Sequence, residues 1–180
     1  MCIRDRREGP TGVNAVNDFC EDFVKSAFKV PSADEMYNGK VIIVRQNDSG
    51  LGVANGDVAI IFGLKTADSD KPTWYAFIGD LKKIVPAQLL PKYDTAFAIT
   101  IHQSQGSGFR DVAIFLPTLS AGSDAASLCT RELLYTGITR SEKTCQIFGA
   151  KDVLGMSLKT VTQRSGGLPQ RLKERFSEQG

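Results

Sequence analysis

Ala96-Phe97-Ala98-Ile99-Thr100-Ile101-His102-Gln103-Ser104-Gln105-Gly106 passes within a few residues from apolar to polar. The first four residues read as a buried strand. Thr100 and Gln103 have the spacing of a capping box, so Thr100 is expected to open a short helix that stops at Gly106. A strand running straight into a helix N-terminus is the elementary step of an open α/β sheet. Two more apolar runs follow, Val112-Ala113-Ile114-Phe115-Leu116 and Cys145-Gln146-Ile147-Phe148-Gly149, with a helix expected between them from about Thr130 to Arg140. Strands alternating with helices predict a parallel sheet covered by helices.

Upstream the character changes. Between Tyr37 and Pro91, short β-type runs such as Val41-Ile42-Ile43-Val44 and Val58-Ala59-Ile60-Ile61-Phe62 alternate with turn signals such as Asn47-Asp48-Ser49-Gly50 and Asn55-Gly56-Asp57. Such spacing predicts a small β-barrel of about fifty residues. Before it, Val13, Val16, Phe19, Cys20, Phe23, Val24 and Phe28 recur at three- and four-residue steps, the apolar face of a helix closed by Pro31 and Ser32. The α/β domain therefore takes residues 7–36 and 93–165, interrupted by a β insertion over 37–92. Residues 1–6 are polar and start abruptly, which predicts a non-native or frayed start. Residues 166–180 are a polar tail.

The bulk properties exclude several classes. The 180 residues are 42% hydrophobic and 23% charged, enough for a core and against wholesale disorder. A net charge of +2 gives no general attraction to nucleic acid, so any such binding must rest on local placement. Cys2, Cys20, Cys129 and Cys145 form no CxxC pair, and the single histidine, His102, has no cysteine near it, so no metal site is expected. Scattered thiols fit a reducing, cytoplasmic setting. No apolar run approaches the ~20 residues that span a bilayer, so no membrane partner is expected.

Three segments carry chemistry. After the strand at Ala96, a helix N-terminus with Thr100, His102, Gln103, Ser104 and Gln105 around it offers uncharged donors to a phosphate backbone. The same residues also suit an ordinary capped helix. In Leu133-Leu134-Tyr135-Thr136-Gly137-Ile138-Thr139-Arg140, an arginine on a rigid helix can offset charge on a transferring phosphoryl group. It equally suits a helix C-terminus, where a cation complements the dipole. Arg7-Glu8-Gly9-Pro10-Thr11-Gly12-Val13 is a basic, glycine-rich entry to a helix, or a simple turn. In the insertion, Trp74, Tyr75 and Phe77 either stack bases or fill the core, and Lys82 and Lys83 either track a backbone or solvate an edge strand.

Taken in order around the insertion, these segments resemble the C-terminal motor lobe of superfamily 1, UvrD/RecD-like helicases. Within them the chain is similar to the family of the exodeoxyribonuclease V alpha subunit, the RecD helicases. Ala98–Ser107 resembles motif V, Thr130–Arg140 resembles motif VI, and Arg7–Val13 resembles motif IV. Asn47–Val58 resembles the opening strands of that family's SH3-like insertion. A fragment of a conjugative relaxase-helicase shares the motor motifs but not this stretch.

The resemblance implies a RecA-like second lobe with an inserted SH3-like barrel, and ATP-driven 5′-to-3′ movement on single-stranded DNA in double-strand-break repair and recombination. It implies RecB-like and RecC-like subunits as partners. ATP and Mg²⁺ would be bound jointly with an N-terminal half of the helicase chain. Carried over by position, Arg140 becomes the finger to the γ-phosphate and Arg7 a second phosphate-sensing arginine. Gln105 and Gly106 come to lie on the nucleotide side, with Gln105 coupling it to DNA. Thr100, His102, Gln103 and Ser104 contact DNA, and Tyr135 and Thr139 orient the finger's helix. Two positions depart from the family. Gln103 stands where a lysine is usual, and Gly108 where a glutamate precedes the phenylalanine. No GxxxxGK-Ser/Thr phosphate loop and no acidic Walker-B strand occur in the 180 residues, so the chain alone is expected to hydrolyse no ATP. A stand-alone module binding single-stranded DNA or a protein is the alternative.

Overall fold

A computed structural model of the chain describes residues 2–4, 12–66, 69–79, 81–118 and 129–162, with 2–4, 66, 69 and 70 as backbone alone. Strand pairing separates the described residues into a parallel and an antiparallel sheet. In the four-stranded parallel sheet, β1 (Cys2–Arg4) lies between β7 (Ala98–Thr100) and β8 (Phe109–Phe115), and β9 (Ser141–Phe148) forms the far edge. Cys2–Arg4, within the expected non-native or frayed start at residues 1–6, are paired on both sides. Sheet pairing needs only backbone N–H and C=O groups, which a polar side-chain pattern does not reveal.

One face of this sheet is closed by α2 (Arg131–Ile138) and α3 (Lys151–Lys159). Thr130 caps α2, its hydroxyl accepting the Leu133 N–H at 3.4 Å. Ile101, Val112, Ile114 and Leu116 pack there against Leu133, Leu134 and Val153. Gly137 permits the close approach, since a methyl group on it would lie 3.0 Å from Ile114 Cδ1.

α1 (Val13–Ala27) packs on β7 with an unexpected face. Its buried residues are Val13 and Asn17, followed on the same stripe by the half-buried Glu21 and Lys25. Phe19, Phe23 and Phe28 are 72%, 66% and 70% exposed, which corrects the expected apolar face. The orientation follows from polar bonds made only in the fold. The Asn17 amide donates to the Ala98 carbonyl at 3.0 Å, and its oxygen accepts the Ala98 N–H at 2.7 Å. One turn on, Glu21 meets both Lys25 and Lys40 at 3.5 Å, and both lysines lie over the Tyr37 ring. Burial, then the neighbouring Glu21 charge, push the Tyr37 hydroxyl's pKa up.

The insertion forms a five-stranded antiparallel sheet in the order β5 (Lys83–Pro86), β4 (Ser69–Ile78), β3 (Val58–Thr66), β2 (Val41–Val44), β6 (Tyr93–Thr95). β6 pairs with β2, so the insertion's sheet runs to Thr95, three residues past the expected boundary at 92. β5 and β6 are its edges and are not bonded to each other. Ile42, Val44, Ile61, Ala76, Ile78 and Val85 build the core, with Trp74 packed against it. Tyr75 stacks on Phe62, ring centroids 5.9 Å apart. Trp74 and Tyr75 therefore pack within the insertion. Among the described residues, no helix is long and apolar enough to cross a membrane.

Candidate functional site

The site grows out of the connection between β7 and β8. Through β1, Thr100 lies level with Phe115, whereas β8 begins at Phe109. Residues 101–108 must therefore return along the length of β8, roughly 20 Å at strand spacing. Eight residues of α-helix cover only about 12 Å. The expected helix is accordingly replaced by successive tight turns: the Ser104 N–H reaches the Thr100 and Ile101 carbonyls, Gln105 N–H that of His102, and Ser107 N–H that of Ser104. The capping box itself forms. Thr100 N–H donates to Gln103 Oε1 at 2.9 Å, and Gln103 N–H donates to Thr100 Oγ1 at 3.2 Å.

This path sorts the residues expected to face DNA. Ser104 is fully buried, and its hydroxyl donates to the Ile101 carbonyl at 2.7 Å. Thr100 is 7% exposed, with its hydroxyl engaged by Gln103. Both hydroxyls are engaged within the turns, and Thr100 also lines the groove between the two sheets. His102, Gln105 and Gly106 are exposed and Gln103 is half-buried. They line a groove of about 840 Å³ whose opposite wall is the insertion, through Arg45, Asn55 and Asp57. Arg45 is steadied by Asp94, 2.9 Å away. Sequence reasoning missed Arg45 and Asn55. The Asn55-Gly56-Asp57 turn was legible, but which surface it faces was not.

Arg140 lies just beyond α2, and the other end of the same turn segment meets it. Its Nε donates to the Thr136 carbonyl at 3.3 Å, Nη1 to the Ser107 carbonyl at 3.3 Å, and Nη2 to Thr139 Oγ1 at 3.4 Å. The Phe109 N–H in turn donates to the Arg140 carbonyl at 2.8 Å. The guanidinium is thus aimed by Thr136, Thr139 and Ser107. The Tyr135 side chain, expected to help, is 68% exposed, and only its carbonyl takes part, accepting the Thr139 N–H. The three guanidinium bonds are longer than the roughly 2.7–2.9 Å of a charge-assisted bond to an anion. A phosphate would therefore compete well for them.

Beside Arg140, the Glu142 side chain lies over Gly108. A Cβ on Gly108 would fall 3.0 Å from Glu142 Oε1. A carboxylate is thus present next to the position where the family's glutamate is absent, supplied by the adjacent strand β9. Arg7 lies outside the described residues. Among the described residues, no three His, Cys, Asp or Glu side chains gather as metal ligands.

Residues 95–147, which hold the turn segment, α2, Arg140 and most of β9, match the UvrD-like helicase C-terminal domain family. Over most of its length the chain is also a homologue of the RecBCD enzyme subunit RecD. It is 34% identical over 159 residues to that subunit of Buchnera aphidicola subsp. Acyrthosiphon pisum, covering 85% of this chain and 25% of the relative. It is 32% identical over 167 residues to that of Mycolicibacterium smegmatis, covering 93% of this chain and 28% of the relative. The chain thus spans about a quarter of the length of these curated relatives. The fold is similar to that of Pif1 helicase from Bacteroides in complex with ADP-AlF3 and ssDNA, with a TM-score of 0.54 and 15% identity over 99% of this chain and 46% of that one. Pif1 helicase from Candida albicans gives a TM-score of 0.53 at 10% identity, over 100% of this chain and 50% of that one.

Proposed function

We propose that this chain is the C-terminal part of an ATP-dependent 5′-to-3′ DNA helicase of double-strand-break repair and recombination. Its parallel sheet is the RecA-like second lobe and its antiparallel sheet the SH3-like insertion. The observation that carries this reading is one continuous segment, Thr100–Ser107. It lines the groove opposite Arg45 and Asn55, and ends on the guanidinium of Arg140. Single-stranded DNA runs in the groove, its phosphates met by His102 and Gln103 on one wall and Arg45 on the other. Contacts of this kind are mostly uncharged and release readily, as a translocating motor requires.

ATP, bound with Mg²⁺ jointly with the N-terminal half of a complete helicase, supplies the phosphoryl group whose transfer drives movement. The chain's own residues fit the phosphate end, since Arg140 has weakly held donors to give. Arg140 exchanges its bond to Ser107 for one to the γ-phosphate, and the planar cation offsets the charge that builds in the transition state. Gln105 and Gly106 adjoin the nucleotide side, and Arg7 is a second phosphate sensor. The relatives' name, a RecBCD subunit, supports RecB-like and RecC-like partners.

The test is Arg140→Ala in the complete helicase. DNA-stimulated ATP turnover is expected to fall by about 10³-fold or more, with single-strand affinity retained. Unchanged turnover would remove Arg140 from the reaction.

A further inference from the structure

A second cavity, of about 420 Å³, opens on the far side of Gln103, between α1 and strands β6 and β7. It shares Ile43 and Gln103 with the strand groove, so the two spaces meet across these residues. We infer that this cavity receives a base of the bound strand and favours one carrying an exocyclic amino group, through the carboxylate of Asp18. The inference rests on the strand-binding reading of the first groove.

The lining argues for a base and against a phosphate. Part of the cavity's lining is apolar, from Val13, Ile43, Ala98 and Ile99. Its rim is polar, and most of that polarity is committed. Asn17 gives both ends of its amide to Ala98, Asp94 pairs with Arg45, and Gln103 Oε1 accepts the Thr100 N–H. What remains is Asn14 and Asp18, one turn apart on α1, which among the described residues make no hydrogen bond or ion pair. A carboxylate repels a phosphate but accepts from an amino group, as Asp and Glu do from cytosine N4. Thymine has the same ring size and no amino group; it offers only its ring N3–H, flanked by two carbonyl oxygens that the Asp18 carboxylate repels, and so is the poorer partner. With its phosphates held along His102–Gln103 and its base turned across Gln103, a strand would use both spaces at once.

Fluorescence anisotropy of this chain with labelled oligo(dC) and oligo(dT) of equal length, at one salt concentration, tests the inference. Oligo(dC) is expected to bind about tenfold more tightly, the scale of one good base contact. Asp18→Ala should bring oligo(dC) down to the oligo(dT) level while leaving oligo(dT) unchanged. Asp18 is exposed on a helix surface, so the variant should keep its fold, checked by its circular dichroism. His102→Ala should weaken both oligonucleotides alike and preserve their ratio. Equal binding of the two by the parent chain, or a preference that survives Asp18→Ala, overturns the base cavity and leaves the strand groove standing. Failure of the parent chain to bind either oligonucleotide overturns the groove and the cavity together.

Discussion

The two sheets of this chain are built by opposite means. The antiparallel sheet draws its core from Ile42 to Val85, with each strand hydrogen-bonded to a partner inside residues 41–95. The parallel sheet collects strands from residues 2–4, 98–100, 109–115 and 141–148. Its helices α2 and α3 close one face. On the other, β8 and β9 present Phe115 stacked on Phe148, centroids 5.0 Å apart, with Phe148 45% exposed. Parallel sheets are ordinarily buried on both faces. One sheet is thus locally self-sufficient and the other is tied together over long stretches of chain. The candidate groove lies where they meet, so it has a rigid wall on the insertion and a wall of tight turns on the sheet.

If that contrast is real, core substitutions should act separately. Ile61→Ala in the insertion and Ile114→Ala in the parallel sheet each remove a side chain that is 0–1% exposed, and each should cost about 3 kcal/mol or more. Trp74 fluorescence reports on the insertion alone, and far-UV circular dichroism is dominated by the helices. Ile61→Ala should lower the Trp74 transition and Ile114→Ala the helical one. A single transition moved equally by both would break the comparison.

A smaller effect tests the tie between α1 and the parallel sheet. Asn17→Ala leaves the Ala98 N–H and carbonyl without their partner, at about 2 kcal/mol. Urea unfolding followed by circular dichroism should show it, with the Trp74 transition little changed. A full shift of both signals would mean that α1 supports the insertion as strongly as the sheet.

The smallest effect is a pH dependence confined to the sheet's helices. The Thr162 N–H and hydroxyl donate to the Glu132 carboxylate at 3.0 and 2.9 Å and hold its pKa down at about 2, from an ordinary 4.5. A carboxylate depressed in the folded state adds stability that is fully present above pH 4.5 and is lost as the pH falls toward 2. Glu132→Gln should therefore flatten this part of the acid limb of α2–α3 unfolding. An acid limb unchanged by the substitution would detach Thr162 from Glu132 in solution.

The same contrast explains what could be read from the sequence. Short-range signals were legible. The Thr100–Gln103 capping box forms, Thr130 caps α2, and the apolar runs at Ile42, Ile61, Ile114 and Cys145 are strands. What escaped depends on partners far away in the chain. α1 turns its phenylalanines outward because Asn17 bonds to Ala98, 81 residues on. The turns after Thr100 replace a helix because β8 starts far below them, a distance set by strand register. Ser104 looked like a ligand donor and is an internal one. Arg45 and Asn55 carry no motif, and join the site only because the insertion folds back over the turns. Helix α3 was not foreseen, its Lys151–Lys159 pattern being short and mixed.

The double bond of Asn17 to Ala98 has one further consequence. Among the described residues β7 is the outermost strand on its side, and the groups that Asn17 engages are those through which another strand would dock. A single side-chain amide thus stands in for one residue of a neighbouring strand and closes that margin to self-assembly. At the opposite margin, β9 relies on the charges of Glu142 and Lys143, a looser deterrent. Extension of the parallel sheet should therefore begin at β9, and Asn17→Ala should open a second front at β7.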